Sequence, residues 1–504
     1  MLDVQLGELL GGAPAGVEEA LGLVAGFDEA LAHGFARIGE EPAAALAALA
    51  GALAATPLGD RVTESVAKVV AGSIGDDHLA ALAGARAALA GAVHDALLTR
   101  LDAALGRSRA PWDTLPSPVA ETAIEAGAVP AAGTAAREAV DHVPEKTAAG
   151  TGTVRARERG APGEVGNLLA GCRVWLRELA IVGWRGVDHD VVSSADQAIE
   201  AVLAVPELRG LAVLLDGLAA ELRASCPVSA MERLPLRRWA DLWTRALLLS
   251  QSGSWNGPAE PVSGRLLILG ADVHEHATVV RVQVHALLEP GGDAPARLVR
   301  AGAAAAKVDT IVGPAVWRLL AGHPVLLGAL AEHRSLEITG MPLLPGGDLV
   351  WHDDLARAGA LADPFATARV QLGAAVAAPV PPLDRHPVRI AEPVLVEGYT
   401  VEGDRLHLGG NALTLDLDRL PAATPLTPEL VAASSACLGL VRWDGGRWLL
   451  QPLGVRATVK KKPVDVHTGD WAMGPTDPKV VKAEARNGDV VAVLRERAGR
   501  LLRK

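Results

Sequence analysis

The chain has 504 residues, half of them hydrophobic, and its aromatic content is eleven Trp against three Phe and one Tyr. That length allows about two to four domains with sizeable cores, and so much apolar content excludes disorder throughout. The net charge is −11, and three cysteines without a CxxC pair exclude a disulfide framework and a thiolate zinc site.

Charge is distributed unevenly. Residues 1–106 hold fourteen Asp/Glu and five Lys/Arg, a net of −9, whereas residues 455–504 hold twelve Lys/Arg and six Asp/Glu, a net of +6. An acidic head and a basic tail of this kind can steer partners, or dock one end on the other within or between copies. The opening MLDVQLGELL carries Asp3 and Glu8 where an export signal would carry Lys or Arg. The longest uncharged run, Pro42 to Gly59, consists mostly of Ala and Gly between prolines, too weakly apolar to favour a bilayer. A cytoplasmic chain without membrane contact is expected.

In chain order, residues 1–106 form an Ala/Leu-rich segment with helical spacing, broken by Pro57-Leu58-Gly59 and Gly75-Asp76-Asp77 into several helices of an acidic bundle. All the tryptophans lie at or beyond Trp112. Residues 107–165 are rich in Pro, Ala and Gly and read as a linker. Residues 166–260 resume helical patterning as a Trp-containing domain. Its clearest amphipathic helix places Leu236, Trp239, Leu242, Trp243, Ala246 and Leu247 on one face. Those indoles suit either a core stripe or a partner-binding ridge.

Residues 261–385 form a mixed α/β region, with strands at Arg265–Leu269 and Thr278–Leu287, helix from Ala301 to Leu330, and strands around a Pro-Gly-Gly turn at 345–347. Residues 386–504 form a β-rich domain with strands near 388–390, 394–396, 406–408, 412–417, 438–443 and 447–452. Asp444-Gly445-Gly446 marks a hairpin, and Asp477-Pro478 starts a terminal helix that breaks near Asn487-Gly488 and ends in arginines. The expected fold is α+β and multidomain: an N-terminal helical bundle, a central helical segment and a C-terminal antiparallel β-rich region with a terminal helix.

Few chemical signatures accompany this organisation. Neither GxxxxGK[ST] nor GxGxxG occurs between a strand and a helix, which argues against an NTPase or a dinucleotide enzyme. His274 and His276 stand at i, i+2 on one strand face, and His285 falls on the next strand. Converged, these three would hold Zn or Fe for a metal-dependent hydrolase. Ser65-Val-Ala-Lys68, Ser254-Trp-Asn256 and His467-Thr-Gly469 resemble, in order, the three elements of penicillin-binding proteins and serine β-lactamases. SxxK alone is a weak signal, and Ser65 sits in an Ala-rich bundle without the sheet that those enzymes provide. Lys460, Lys461, Lys462, Arg500 and Arg503, with Trp443, Trp448 and Trp471 nearby in sequence, could meet a nucleic acid or an acidic protein. The reading that fits most of the chain is a non-catalytic adaptor or assembly component that needs no cofactor. It would bind a protein partner through Trp239, Trp243 and the basic residues just named.

Overall fold

The computed structural model describes residue 7 and residues 9–112, 162–252, 258–276, 279–292, 294–308, 310–487, 491–493 and 496. It is α+β and multidomain, with the helices first and two antiparallel-rich sheets after them. The expected linker falls largely outside the described residues, as do Ser254, Asn256, Arg500 and Arg503.

The acidic Ala/Leu stretch forms α1 (Val17–His33), α2 (Glu40–Leu53), α3 (Gly59–Val70) and α4 (Asp76–Leu105). The Trp-bearing stretch forms α5 (Pro162–Val182), α6 (His189–Ser193), α7 (Asp196–Leu203), α8 (Arg209–Ser225) and α9 (Leu236–Ser252). By sequence a linker at 107–165 separates these groups, but their buried side chains form one core that runs from Phe27 to Leu247. Ala-rich faces bring α1–α4 close together yet supply little apolar volume, and the indoles of the second group supply it. Trp243 packs on Phe27 with ring centroids 6.4 Å apart, and Trp184 meets Trp239 edge-on at 5.8 Å. Inside this core Arg86 donates to both carboxylate oxygens of Asp28, at 2.6 and 3.1 Å. A buried pair of this kind depends on both partners being present.

α4 belongs to two cores. Its first half, with Leu79, Leu82 and Ala83, joins the helical core, while Val93, Leu97, Leu98 and Leu101 pack under the second sheet. It is also the one helix among the described residues long and apolar enough to cross a membrane, and 61% of its most apolar window is buried inside the protein.

The first sheet contains β1 (Glu260–Glu275), β2 (Val279–Glu289), β3 (Arg297–Ala306), β4 (Arg334–Leu343), β5 (Asp348–Leu349) and β6 (Ala356–Leu361). Strand β1 pairs with both β2 and β4, β3 lies parallel to β5, and β6 extends from β4. The order 1-2-3-5-4-1 closes a five-stranded Greek-key barrel of the OB type, a topology that hosts many functions and implies none. Two features let β1 bend around the barrel. One is a register shift between Ile268 and Gly270; the other is Gly264 at φ 151°, where a Cβ would meet Glu289 O at 2.2 Å.

Residues 301–306, expected to be helical from their alanines, are strand. Ala301 and Ala303 fill the barrel interior beside Val282 and Val284, so tertiary packing overrides intrinsic propensity here. A 3₁₀ run (Gly313–Leu320) follows, and its Trp317 donates to Ala423 O at 2.8 Å.

The second sheet contains β7 (Ala391–Glu397), β8 (Thr400–Glu402), β9 (Arg405–Leu408), β10 (Asn411–Leu415), β11 (Ser434–Asp444), β12 (Arg447–Val459) and β13 (Lys462–His467). Its order is 7-11-12-10-9-8, with β13 on β12. Residues 387–389 form a 3₁₀ turn rather than the expected strand, because Pro387 begins a short capped turn in which His386 Nδ1 accepts from Val388 N–H. The hairpin at Gly445-Gly446 is as expected, with φ 57° and 77° and Trp443 opposite Trp448. Asp477 caps the terminal helix (Pro478–Asn487), accepting from Lys479 N–H at 2.7 Å. Leu267, Leu269, Leu287, Phe365, Leu372 and Leu438 form a separate core that glues the barrel to this sheet.

α1 and α5 end against each other through glycines. Gly34 and Gly183 have φ of 82° and 72°, and a Cβ on Gly183 would sit 2.3 Å from Gly34 N. Phe35 N–H bonds Ala180 O at 2.8 Å across this contact. Gly183→Ala therefore meets both a left-handed backbone and a backbone clash. It should lower stability by at least about 2 kcal/mol, read as a drop in the midpoint of Trp-fluorescence thermal unfolding, whereas Gly210→Ala, with nothing within 4 Å of the added Cβ, should not.

Candidate functional site

A cleft of about 750 Å³ opens where the barrel meets the second sheet, a volume in the range of small-molecule and peptide-side-chain sites. The end of β1 supplies Asp272, His274, Glu275 and His276. The segment after β3 supplies Lys307 and Val312, the 3₁₀ turn (Leu417–Arg419) supplies Asp418 and Arg419, and the β11–β12 turn supplies Asp444. Five carboxylates (Asp272, Glu275, Asp416, Asp418 and Asp444) face two cations, Lys307 and Arg419.

Most of these charges are tied down. Asp272 accepts from Arg442 Nη2 at 2.7 Å and from Gln451 Nε2 at 2.8 Å, and Gln451 Oε1 accepts from Arg442 Nε at 2.5 Å. This triad joins β1 of the barrel to β11 and β12 of the second sheet. Burial alone would raise the Asp272 carboxyl, but the Arg442 guanidinium and the Gln451 amide outweigh it and hold the carboxyl below its ordinary range. Lys307 pairs with Glu275 at 3.1 Å and donates to Ile311 O; Arg419 pairs with Asp416 at 2.8 Å. Arg237 of α9 reaches Asp444 at 2.9 Å, so the helical unit touches the rim. Asp418 is exposed and, among the described residues, has no ion-pair partner.

The three histidines expected to hold a metal do not converge. The His274 and His276 rings lie side by side with centroids 5.2 Å apart at the cleft. His285 pairs with Gly270, and on β2 it stands four residues beyond Arg281, the partner of His274, a separation of about 13 Å along the strand. His285 is 3% exposed, and burial, with Arg300 adding to it, pushes its imidazole down to about 3. Among the described residues no group of three or more His, Cys, Asp or Glu side chains could hold a metal ion.

The other candidates are scattered as well. Trp239 and Trp243 are 1% and 0% exposed, and Trp243 Nε1 donates to Leu176 O at 2.8 Å; both belong to the core and offer a partner no surface. Lys460, Lys461 and Lys462 stand exposed at the β12–β13 turn, with Lys460 and Lys461 at φ 49° and 65°. Trp443, Trp448 and Trp471 are all buried, so none of these three indoles is open to stack a base beside those lysines. Ser65 is buried on α3, 3.4 Å from His78 Nδ1, in the helical core, whereas His467 lies at the end of β13. Four carboxylates of the acidic head have arginine partners: Asp28 pairs with Arg86, Asp76 with Arg177, Asp95 with Arg385 and Asp102 with Arg109.

Sequence reasoning missed Asp416 and Asp418, at and after a strand end, and Arg442 and Gln451, within β11 and β12, none of which any spacing rule connects to β1. The one available signal was local: Asp416 and Asp418 fall just past a strand end, where binding residues concentrate. No protein-family model, curated protein or solved structure matches the chain.

Two measurements follow from this geometry. Asp272→Asn keeps the shape of the triad but removes the charge that neutralises a guanidinium only 9% exposed, so it should cost about 3–5 kcal/mol. Gln451→Glu, which restores a carboxylate beside Arg442 in the Asp272→Asn background, should recover part of that loss in chemical denaturation. His467, 4% exposed, is driven down to about 4 chiefly by burial. Its neutral form is favoured by folding, so its contribution is complete above the unfolded value of about 6.5 and is lost as pH falls towards 4, about 3 kcal/mol for that displacement. Stability measured across that window should fall less steeply in His467→Gln.

Proposed function

We propose that the chain is a non-catalytic cytoplasmic adaptor that holds a cationic segment of a protein partner in the cleft beside Asp418. The observation that carries this reading is the charge left over in the cleft: four of its five wall carboxylates are paired with Arg442, Lys307, Arg419 and Arg237, and the exposed Asp418 has no cation of its own among the described residues. Contributions from the barrel and the second sheet, with Arg237 of the helical unit at the rim, suit a site whose shape depends on the whole assembly. Cys172, Cys226 and Cys437 are all free thiols, in keeping with a reducing compartment.

A photo-crosslinking residue in place of Val312, which lines the cleft and is exposed, leaves Asp418 intact and, in the full chain expressed in its native cell, tests the proposal. A discrete adduct with one protein is expected. It should disappear when Asp418 is replaced by Lys and persist when Lys460–Lys462 are replaced by Ser. Absence of an adduct would overturn the reading. So would stoichiometric zinc or iron in the purified protein that is lost on His276→Ala, because the cleft would then be a metal centre.

A further inference from the structure

One free strand edge leads into this cleft. In β3, Leu298 N–H bonds Val376 O at 2.9 Å and Arg300 N–H bonds Gly347 O at 2.8 Å, while β3 pairs with β2 without a register shift. Even-numbered residues therefore direct their backbone N–H and C=O groups away from β2. Pairing with β5 covers only Arg300 and Ala301. Gly302, Ala304 and Ala306 are exposed beyond it, and among the described residues no strand pairs with that edge.

The end strands of the two sheets carry features that discourage pairing. β13 holds Lys462 and Pro463, β7 holds Pro393 and ends in Glu397, β8 is three residues long and ends in Glu402, and β6 carries Arg357. Residues 302–306 have no charge, no proline and no bulge, and their side chains are too small to screen the backbone. Lys307 follows directly and lines the cleft with Val312, and Val308 and Val312 are 47% and 60% exposed. Unpaired backbone, a short apolar step and a carboxylate-lined pocket thus lie in succession along one path.

We infer that an extended segment of the partner adds to the barrel as a strand along residues 302–306, with Lys or Arg side chains at one end of that segment entering the cleft beside Asp418. Main-chain hydrogen bonds to Gly302, Ala304 and Ala306 supply register, and the cleft selects the basic end, the usual division between affinity and specificity in strand addition. This inference rests on the adaptor reading and gives the partner a conformation.

Panning a random dodecapeptide library against the whole chain tests it. Expected binders alternate β-branched residues and carry a Lys/Arg cluster at one end. Ala304→Pro removes an edge N–H that bonds no other strand, a placement that edge strands tolerate, and should weaken those peptides at least tenfold. Asp418→Lys should reverse the preference to acidic ends. Should Ala304→Pro fail to fold, hydrogen exchange gives the readout instead: amides of residues 302, 304 and 306 in the unmodified protein should slow at least tenfold when a selected peptide is added. A library without binders, binders indifferent to Ala304→Pro, edge amides that stay unprotected, or displacement of the peptide by a dT12 oligonucleotide would each overturn the strand addition. Binders sensitive to Asp418→Lys but indifferent to Ala304→Pro would sink the added strand and leave the adaptor cleft standing.

Discussion

A single 30-residue helix, Asp76–Leu105, is packed into two hydrophobic cores, and the placement of everything around the cleft depends on it. Its first half cannot leave the helical core without exposing Leu79 and Leu82, and its second half cannot leave the second sheet without exposing Leu97 and Leu101. At about 1.5 Å per residue the helix is a strut of roughly 45 Å, long enough to serve both cores without a hinge. Arg86, held by Asp28 in its first half, fixes its rotation, since turning the helix would strand a buried guanidinium. Just past its end, Arg107 and Arg109 clasp Glu392 of β7 at 3.0 and 2.8 Å, which fastens the strut to the sheet.

The barrel is fixed by a different device. An apolar seam through Leu267, Leu287, Phe365 and Leu438 supplies the area, and the Asp272–Arg442–Gln451 triad supplies the register. An apolar seam tolerates sliding, whereas a buried charge with one matching partner does not. With the helical unit fixed to the second sheet by the strut and the barrel fixed to it by the triad, the cleft is a preformed space. A partner entering it does not bear the entropy of assembling its walls.

The coarse fold was legible because it rests on local pattern. The stripe of Leu236, Trp239 and Trp243, the Gly445-Gly446 turn and the Asp477 cap each carry their structure within a few residues. Residues 301–306 failed for the opposite reason. Alanine is disfavoured in strands and the best helix former, and only the small interior of the barrel, filled by Val282 and Val284 from β2, makes strand the better state. The joined helical core was hidden in the same way, since nothing local relates Phe27 to Trp243.

The candidate site was less legible than the fold. His274 and His276 were visible as a pair because strand period puts i and i+2 together, but the companion His285 faces the seam further along β2. The carboxylates opposite them arrive from a turn about 140 residues later, through pairing that only the folded sheets create. Within the head, Asp76 and Asp95 pair with Arg177 and Arg385, which sequence position did not single out.

The dependence of the cleft on one shared helix is open to direct measurement by native-state hydrogen exchange of α4 in increasing denaturant. If the helix locks both cores into one cooperative unit, amides near Leu82 and Leu101 exchange with the same opening free energy and the same denaturant slope. Two separate free energies, with the Leu101 half opening while the Leu82 half stays protected, would mean that the cores move independently and that the cleft is not preformed.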